Sequence, residues 1–142
     1  MNKAKYYVFL DDIREPGDVT WVRMPMHEYE VVRNYDDFVK LITNKGYPPS
    51  FICYDHDLAD SHYQPITVLG QNKIDYSKYK EKTGYDCAKW MVNYCENRGI
   101  KHPGFVVHSM NPVGRVNIVR HINNYNNNFD IWVLEKDQNQ DL

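Results

Sequence analysis

Tyr6-Tyr7-Val8-Phe9-Leu10-Asp11-Asp12-Ile13-Arg14 is the stretch on which the fold turns. An unbroken apolar and aromatic run, with no polar alternation, suits a strand covered on both faces, as in a parallel sheet flanked by helices. The run stops abruptly on two acids, with an arginine close behind. Open α/β sheets build their ligand sites at the C-terminal ends of the strands. Charged groups placed there are candidates for chemistry rather than for stability.

The same pattern recurs along the chain. Phe51-Ile52-Cys53-Tyr54 ends on Asp55-His56-Asp57-Leu58, and Phe105-Val106-Val107 ends on His108-Ser109-Met110-Asn111-Pro112-Val113-Gly114-Arg115. Ile131-Trp132-Val133-Leu134 reads as a further strand, and Glu30-Val31-Val32-Arg33 as a shorter one. Helical patterns lie between them. Asn34 with Asp37 three residues on resembles a capping box, followed by Phe38, Leu41 and Ile42 and stopped by Gly46. Thr83 and Asp86 form a second box before Ala88, Met91, Val92 and Cys95, with Gly99 as the stop. Asn111-Pro112 is a third start, a cap then proline in the first turn, leading to Val116, Val119 and Ile122. Alternating strand and helix predicts a three-layer, doubly wound α/β fold with about five mostly parallel strands.

Two stretches break the rhythm. Residues 13–29 carry Pro16, Gly17 and Pro25, so a full crossover helix is not expected there. Residues 59–82 are polar and tyrosine-rich without a period, and read as a lid or substrate loop. The chain of 142 residues suits one domain over 1–142, with a polar tail from 137 to 142. Its formal charge of −2, with both signs mixed throughout, argues against a broad basic surface for duplex DNA. No apolar run reaches the ~20 residues a bilayer crossing requires, and Met1 to Lys5 leads straight into a strand. A cytoplasmic protein is the expectation. Cys53, Cys87 and Cys95 lack metal-binding spacing and are expected as reduced packing residues.

Neighbouring first and third strands would bring Asp11 and Asp12 beside Asp55 and Asp57. Like charges at short range repel by on the order of ~1 kcal/mol or more. A bound cation, a shared proton or arginines such as Arg14 would relieve that repulsion. Carboxylates and water suit Mg²⁺ or Mn²⁺, and an added imidazole opens Mn²⁺, Fe²⁺ or Zn²⁺. His56 and His108 each follow a strand and could share one cleft as acid and base or as ligands. His27, His62, His102 and His121 lack such surroundings and are expected at the surface. The helix start at Asn111, with Ser109 and with Arg115 one turn in, suits a phosphate. The Thr83-Gly84-Tyr85-Asp86 cassette is explained by capping alone; Tyr85 either packs or stacks on a base.

With these residues in place, the chain resembles the cyclic-phosphate-processing receiver-like family, a relative of response-regulator receiver domains. The likeness rests on Leu10-Asp11-Asp12-x-Arg14-x-Pro16, Asp55-His56-Asp57-Leu58, Thr83-Gly84-Tyr85-Asp86 and His108-Ser109-x-Asn111-Pro112-x-Gly114-Arg115. It covers residues 5 to about 120. It implies a flavodoxin-like five-stranded sheet with Asp11, Asp12 and Asp55 at an acidic pocket, and a role on cyclic phosphates of RNA ends or related nucleotides. The connections over 13–29 and 59–82 are longer than the family's usual ones.

Three functions follow as expectations. A phosphoesterase would hold a divalent cation, Mg²⁺ or Mn²⁺ ahead of Zn²⁺, on Asp11, Asp12 and Asp55. His56, His108, Asp55 and Asp57 would be catalytic, and Arg14, Ser109, Asn111 and Arg115 would bind the phosphate. A metal-free route through two histidines stays open. Its partner would be a nucleotide or RNA end, with neither duplex DNA nor membrane. A phosphoacceptor receiver would use Asp55, with Ser109 and Lys136 as its hydroxyl and lysine. A nucleotide sponge would keep the phosphate clamp without turnover.

Overall fold

A computed structural model describes residues 3–58 and 82–140, with side chains through Glu135. Four strands, β1 (Tyr7–Leu10), β2 (Tyr29–Val32), β3 (Phe51–Tyr54) and β4 (Gly104–Val107), form one sheet in the order β2-β1-β3-β4. Every pairing is parallel; Leu10 lies level with Val32 on one side and with Tyr54 on the other. β1 and β3 are therefore neighbours, and the cassettes that follow β1, β3 and β4 share one edge, as the sequence requires.

Helix α1 (Tyr35–Lys45) starts where the Asn34 side chain accepts the Asp37 N–H, and stops at Gly46, which takes the left-handed φ of 79°. Helix α2 (Gly84–Arg98) begins with the full Thr83–Asp86 capping box and ends at Gly99, φ 67°. These two glycines occupy backbone space that side-chain-bearing residues rarely enter. Between β1 and β2 there is only a short 3-10 turn, Pro16–Asp18, so the proline-rich stretch forms no crossover helix.

Side-chain alternation along the strands divides the interior. Val8, Leu10, Ile52 and Tyr54 point to one face and join Phe38 and Ile42 of α1, Met91 and Cys95 of α2, and Ile118 and Ile122 in one core. Among the described residues all three helices contribute to that core. Phe9 and Cys53, also buried, point the other way, toward Tyr29 and His108. Cys53, Cys87 and Cys95 are all buried and free of disulfides, as expected of packing thiols, and burial holds Cys53 and Cys95 up at about 12.

Two expectations are corrected. Ile131-Trp132-Val133-Leu134 is no fifth strand: it lies in helix α3, which runs from Pro112 to Gln140. A four-residue apolar run is equally compatible with either element, and from Arg115 to Gln140 no glycine or proline interrupts the helix. The tail expected from Asp137 thus begins as helical backbone, and Lys136 lies in that helix rather than after a strand. His102 is not a surface residue; it is 5% exposed, with Tyr54 Oη at 2.7 Å from Nε2 and the Pro103 carbonyl at 2.7 Å from Nδ1. A carbonyl can only accept, so Nδ1 carries the proton and Nε2 accepts from Tyr54. Burial lowers the His102 pKa to about 4. His27 is exposed and His121 half-buried, while His62 and nearly all of the 59–82 insertion lie outside the described residues. No helix among the described residues is long and apolar enough to cross a membrane.

Candidate functional site

The sheet edge gathers Asp11, Asp55 and His108, each offering one ligand-type atom within 4.8 Å of the others, all buried. Asp11 sits one residue beyond β1. Its Oδ1 accepts the backbone N–H of Ile13 at 3.0 Å and of Arg14 at 2.8 Å, so the carboxylate closes its own turn. Its Oδ2 lies 2.9 Å from His108 Nε2 and 3.6 Å from the Arg14 guanidinium. Burial pushes the Asp11 pKa up, but the His108 bond and the two backbone donors outweigh it and hold the group at about 2. Asp11 is therefore ionised, and Nε2 donates to it.

Asp55, one residue beyond β3, is the opposite case. Burial first, and the nearby Asp11 charge second, raise its pKa, although its Oδ1 accepts the His56 N–H at 2.8 Å. The edge thus pairs a carboxylate held ionised with one pressed toward protonation. His108 is fully buried, its ring stacked on Phe9 at 4.7 Å, and among the described residues its Nδ1 has no hydrogen-bond partner.

His56 stands at the rim. Its Nδ1 is 2.8 Å from Asp57 Oδ1, and the Asn111 amide reaches the same oxygen at 3.3 Å. A carboxylate acceptor on Nδ1 leaves Nε2 as the basic nitrogen. The ring packs on the backbone of Gly114, where a Cβ would come within 2.3 Å of the imidazole Cγ. The preceding backbone is pinned as well: Gly84 N–H donates to the His56 carbonyl at 2.8 Å, and a Cβ on Gly84 would lie 1.7 Å from the Asp55 carbonyl oxygen. The Thr83-Gly84 cassette therefore holds the strand end that carries Asp55 and His56. Tyr85 packs edge-on against His121 at 5.6 Å.

The remaining predicted residues divide. Arg14 is at the rim of the cluster. Ser109 is buried and accepts the Asn111 N–H at 3.1 Å, while Asn111 Oδ1 accepts the Gly114 N–H at 3.0 Å and caps α3. Asp12 is half-buried beside Asp11. Arg115 is exposed and lines a shallow groove along α3 with Pro112, Val116 and Val119, rather than the acidic cluster.

Sequence reasoning missed three participants. Trp21 donates its indole N–H to the His108 carbonyl at 2.8 Å, and the Arg14 guanidinium lies 5.1 Å from its ring centre. Nothing in the linear sequence marks Trp21 beyond its being a lone indole in a polar loop. Arg33 donates to the carbonyls of Asp11 at 3.2 Å and Arg14 at 2.6 Å, and pairs with Glu15. It directly follows β2, so the strand-end rule that found the other cassettes points to it too. Gly114 was read only as part of a motif; its steric role is visible only in three dimensions.

The profile of the cyclic-phosphate processing receiver domain matches residues 6–124, from the start of β1 well into α3. No curated protein and no solved structure matches the chain. The profile spans all four strands and every residue of the cluster, and on that match the chain belongs to the cyclic-phosphate processing receiver domain family.

Proposed function

We propose that the protein is a phosphoesterase that opens the cyclic phosphate of a nucleotide or RNA end. The observation that carries this reading is the buried Asp11–His108 pair with Asp55 beside it, at the edge where an α/β sheet takes its ligand. A purely structural cluster would not need an ionised carboxylate and a destabilised one side by side. Two buried acids suit a divalent cation, and with Nε2 of His108 given to Asp11 the carboxylate oxygens of Asp11 and Asp55 are the ligands facing one another at this edge, favouring Mg²⁺ or Mn²⁺ over Zn²⁺. Asp11, Asp55 and the adjacent Asp12 would hold the ion, which would supply Lewis-acid polarisation of a phosphoryl oxygen and a lowered pKa for water.

The chain's own groups do the rest. Arg14 at the rim neutralises charge building on the phosphate. His56, with Nδ1 fixed by Asp57, presents Nε2 to the leaving oxygen. Nε2 takes up a proton from solvent beforehand. Water adds at phosphorus and releases its own proton to solvent as the P–O bond to the ribose breaks, and that oxygen departs with the proton from Nε2, which restores the neutral ring. His108, sealed from solvent, positions Asp11 rather than touching substrate. The partly exposed Trp21 ring, anchored by its N–H, gives a base a surface to stack on.

The test is a panel of 2′,3′-cyclic and 3′,5′-cyclic nucleotides, cyclic dinucleotides and cyclic-phosphate-ended RNA, with Mg²⁺, Mn²⁺, Zn²⁺ or EDTA, read by mass spectrometry. A product one water heavier is expected with one class, and His56→Ala should cut turnover by on the order of 10² while folding normally. Trp21→Ala should raise KM about tenfold, the worth of one stacked base, with little change in kcat. Tight retention of an intact nucleotide would instead identify a sponge, and labelling of Asp55 by acetyl phosphate a receiver.

A further inference from the structure

Helix α3 carries a second surface, unrelated to the acidic edge. At 100° per residue, Val113, Val116, Ile131 and Leu134 fall on one stripe about 100° wide, opposite the stripe of Ile118 and Ile122 that enters the core. All four are exposed, at 71%, 48%, 54% and 61%. A soluble monomer rarely leaves so much aliphatic surface aligned on one helix face. Between the two apolar ends the stripe is polar: Arg120, Asn123, Asn124 and Asn127.

The arrangement reads the same in both directions. Val113 and Leu134 lie equally far from the midpoint between Asn123 and Asn124; so do Val116 and Ile131, and Arg120 and Asn127. We propose that this stripe is a homodimer interface, in which α3 of a second copy packs antiparallel about a two-fold axis at Asn123 and Asn124. That packing seats Val113 and Val116 of each copy on Leu134 and Ile131 of the other. It leaves the asparagine amides, each both donor and acceptor, facing one another across the axis.

Charge selects the antiparallel arrangement. The first half of α3 carries Arg115 and Arg120, and the second half Asp130, Glu135 and Asp137 against a single Lys136. Antiparallel packing brings Arg120 within a turn of Asp130 on the other copy, where Lys101 already lies 2.7 Å from that carboxylate. Parallel packing would stack like on like and cost stability.

Sedimentation velocity of the full chain over a wide concentration range is the first experiment, with a shift from 16.9 kDa to twice that mass expected. Ile131→Glu with Leu134→Glu should return the monomer with unchanged helical content. Orientation is read by disulfide trapping, since the three native cysteines are buried. Asn124→Cys should cross-link to itself, and Val113→Cys should not, because antiparallel copies of residue 113 stand ~30 Å apart. A monomer at every concentration, a dimer indifferent to the glutamates, or self-linking of Val113→Cys each overturns the proposal.

Discussion

His56 owes its position to a missing side chain. Its ring lies where the Cβ of any other residue at 114 would be, and the Asp57 carboxylate then fixes which nitrogen carries the proton. Gly114→Ala should improve the intrinsic helix preference of α3 by up to about 1 kcal/mol. It should also push the imidazole off Asp57. The expected result is a melting temperature near wild type, displaced imidazole ¹⁵N shifts for His56, and turnover reduced at least tenfold; unshifted resonances would contradict this account. The acids and histidines of this edge were legible in sequence because each directly follows an apolar run. The division of labour between them was not. Asp11 is held ionised by His108 and by its own turn, while Asp55 is raised by burial, and both effects depend on distances that appear only when β1, β3 and β4 are side by side.

At the scale of elements, the contact between the end of β3 and the start of α2 is the tightest constraint. At Gly84 the obstacle to a Cβ is the backbone of Asp55, which cannot swing aside as a ring can. Gly84→Ala should therefore cost about 1–3 kcal/mol through forced separation of strand and helix. Thr83→Ala, which removes only the cap, should cost about 1 kcal/mol. Urea midpoints of the two variants decide it; a Gly84→Ala protein as stable as wild type would mean the strand end has slack. Capping residues made α1 and α2 readable in advance, from Asn34 to Gly46 and from Thr83 to Gly99. The run at 131–134 was misread because four apolar residues carry no period of their own. The uninterrupted helix before them decides their state, and Ile131, Trp132 and Leu134 face outward rather than into a sheet.

Across the whole molecule, acid should be felt first at His102. Its folded pKa of about 4 lies below the ordinary 6.5, so the unfolded chain binds this proton more readily. The stability His102 supplies is complete above about 6.5 and is lost as pH falls toward 4, by up to about 3 kcal/mol. Asp11, lowered to about 2, contributes stability that disappears only below its ordinary 3.8. Asp55, raised, acts with the opposite sign. Unfolding free energy measured from pH 7 to 4.5 should fall steeply for wild type and more gently for His102→Asn. Parallel slopes would show that His102 is not the group responsible. Nothing adjacent in sequence marked this histidine, whose burial depends on Tyr54, forty-eight residues away.

The bond between Asp11 and His108 spans ninety-seven residues of chain. During synthesis the first acid therefore emerges long before the group that stabilises its charge. Until β4 docks, a collapsed intermediate would have to bury Asp11 without that imidazole, at the cost of an uncompensated anion. The acidic edge is accordingly completed at the end of assembly, when the last of the described strands closes the sheet. If the proposed phosphoesterase reading holds, a nascent or proteolytically shortened chain should thus carry no partial activity that could act on cellular phosphates before the fold is finished.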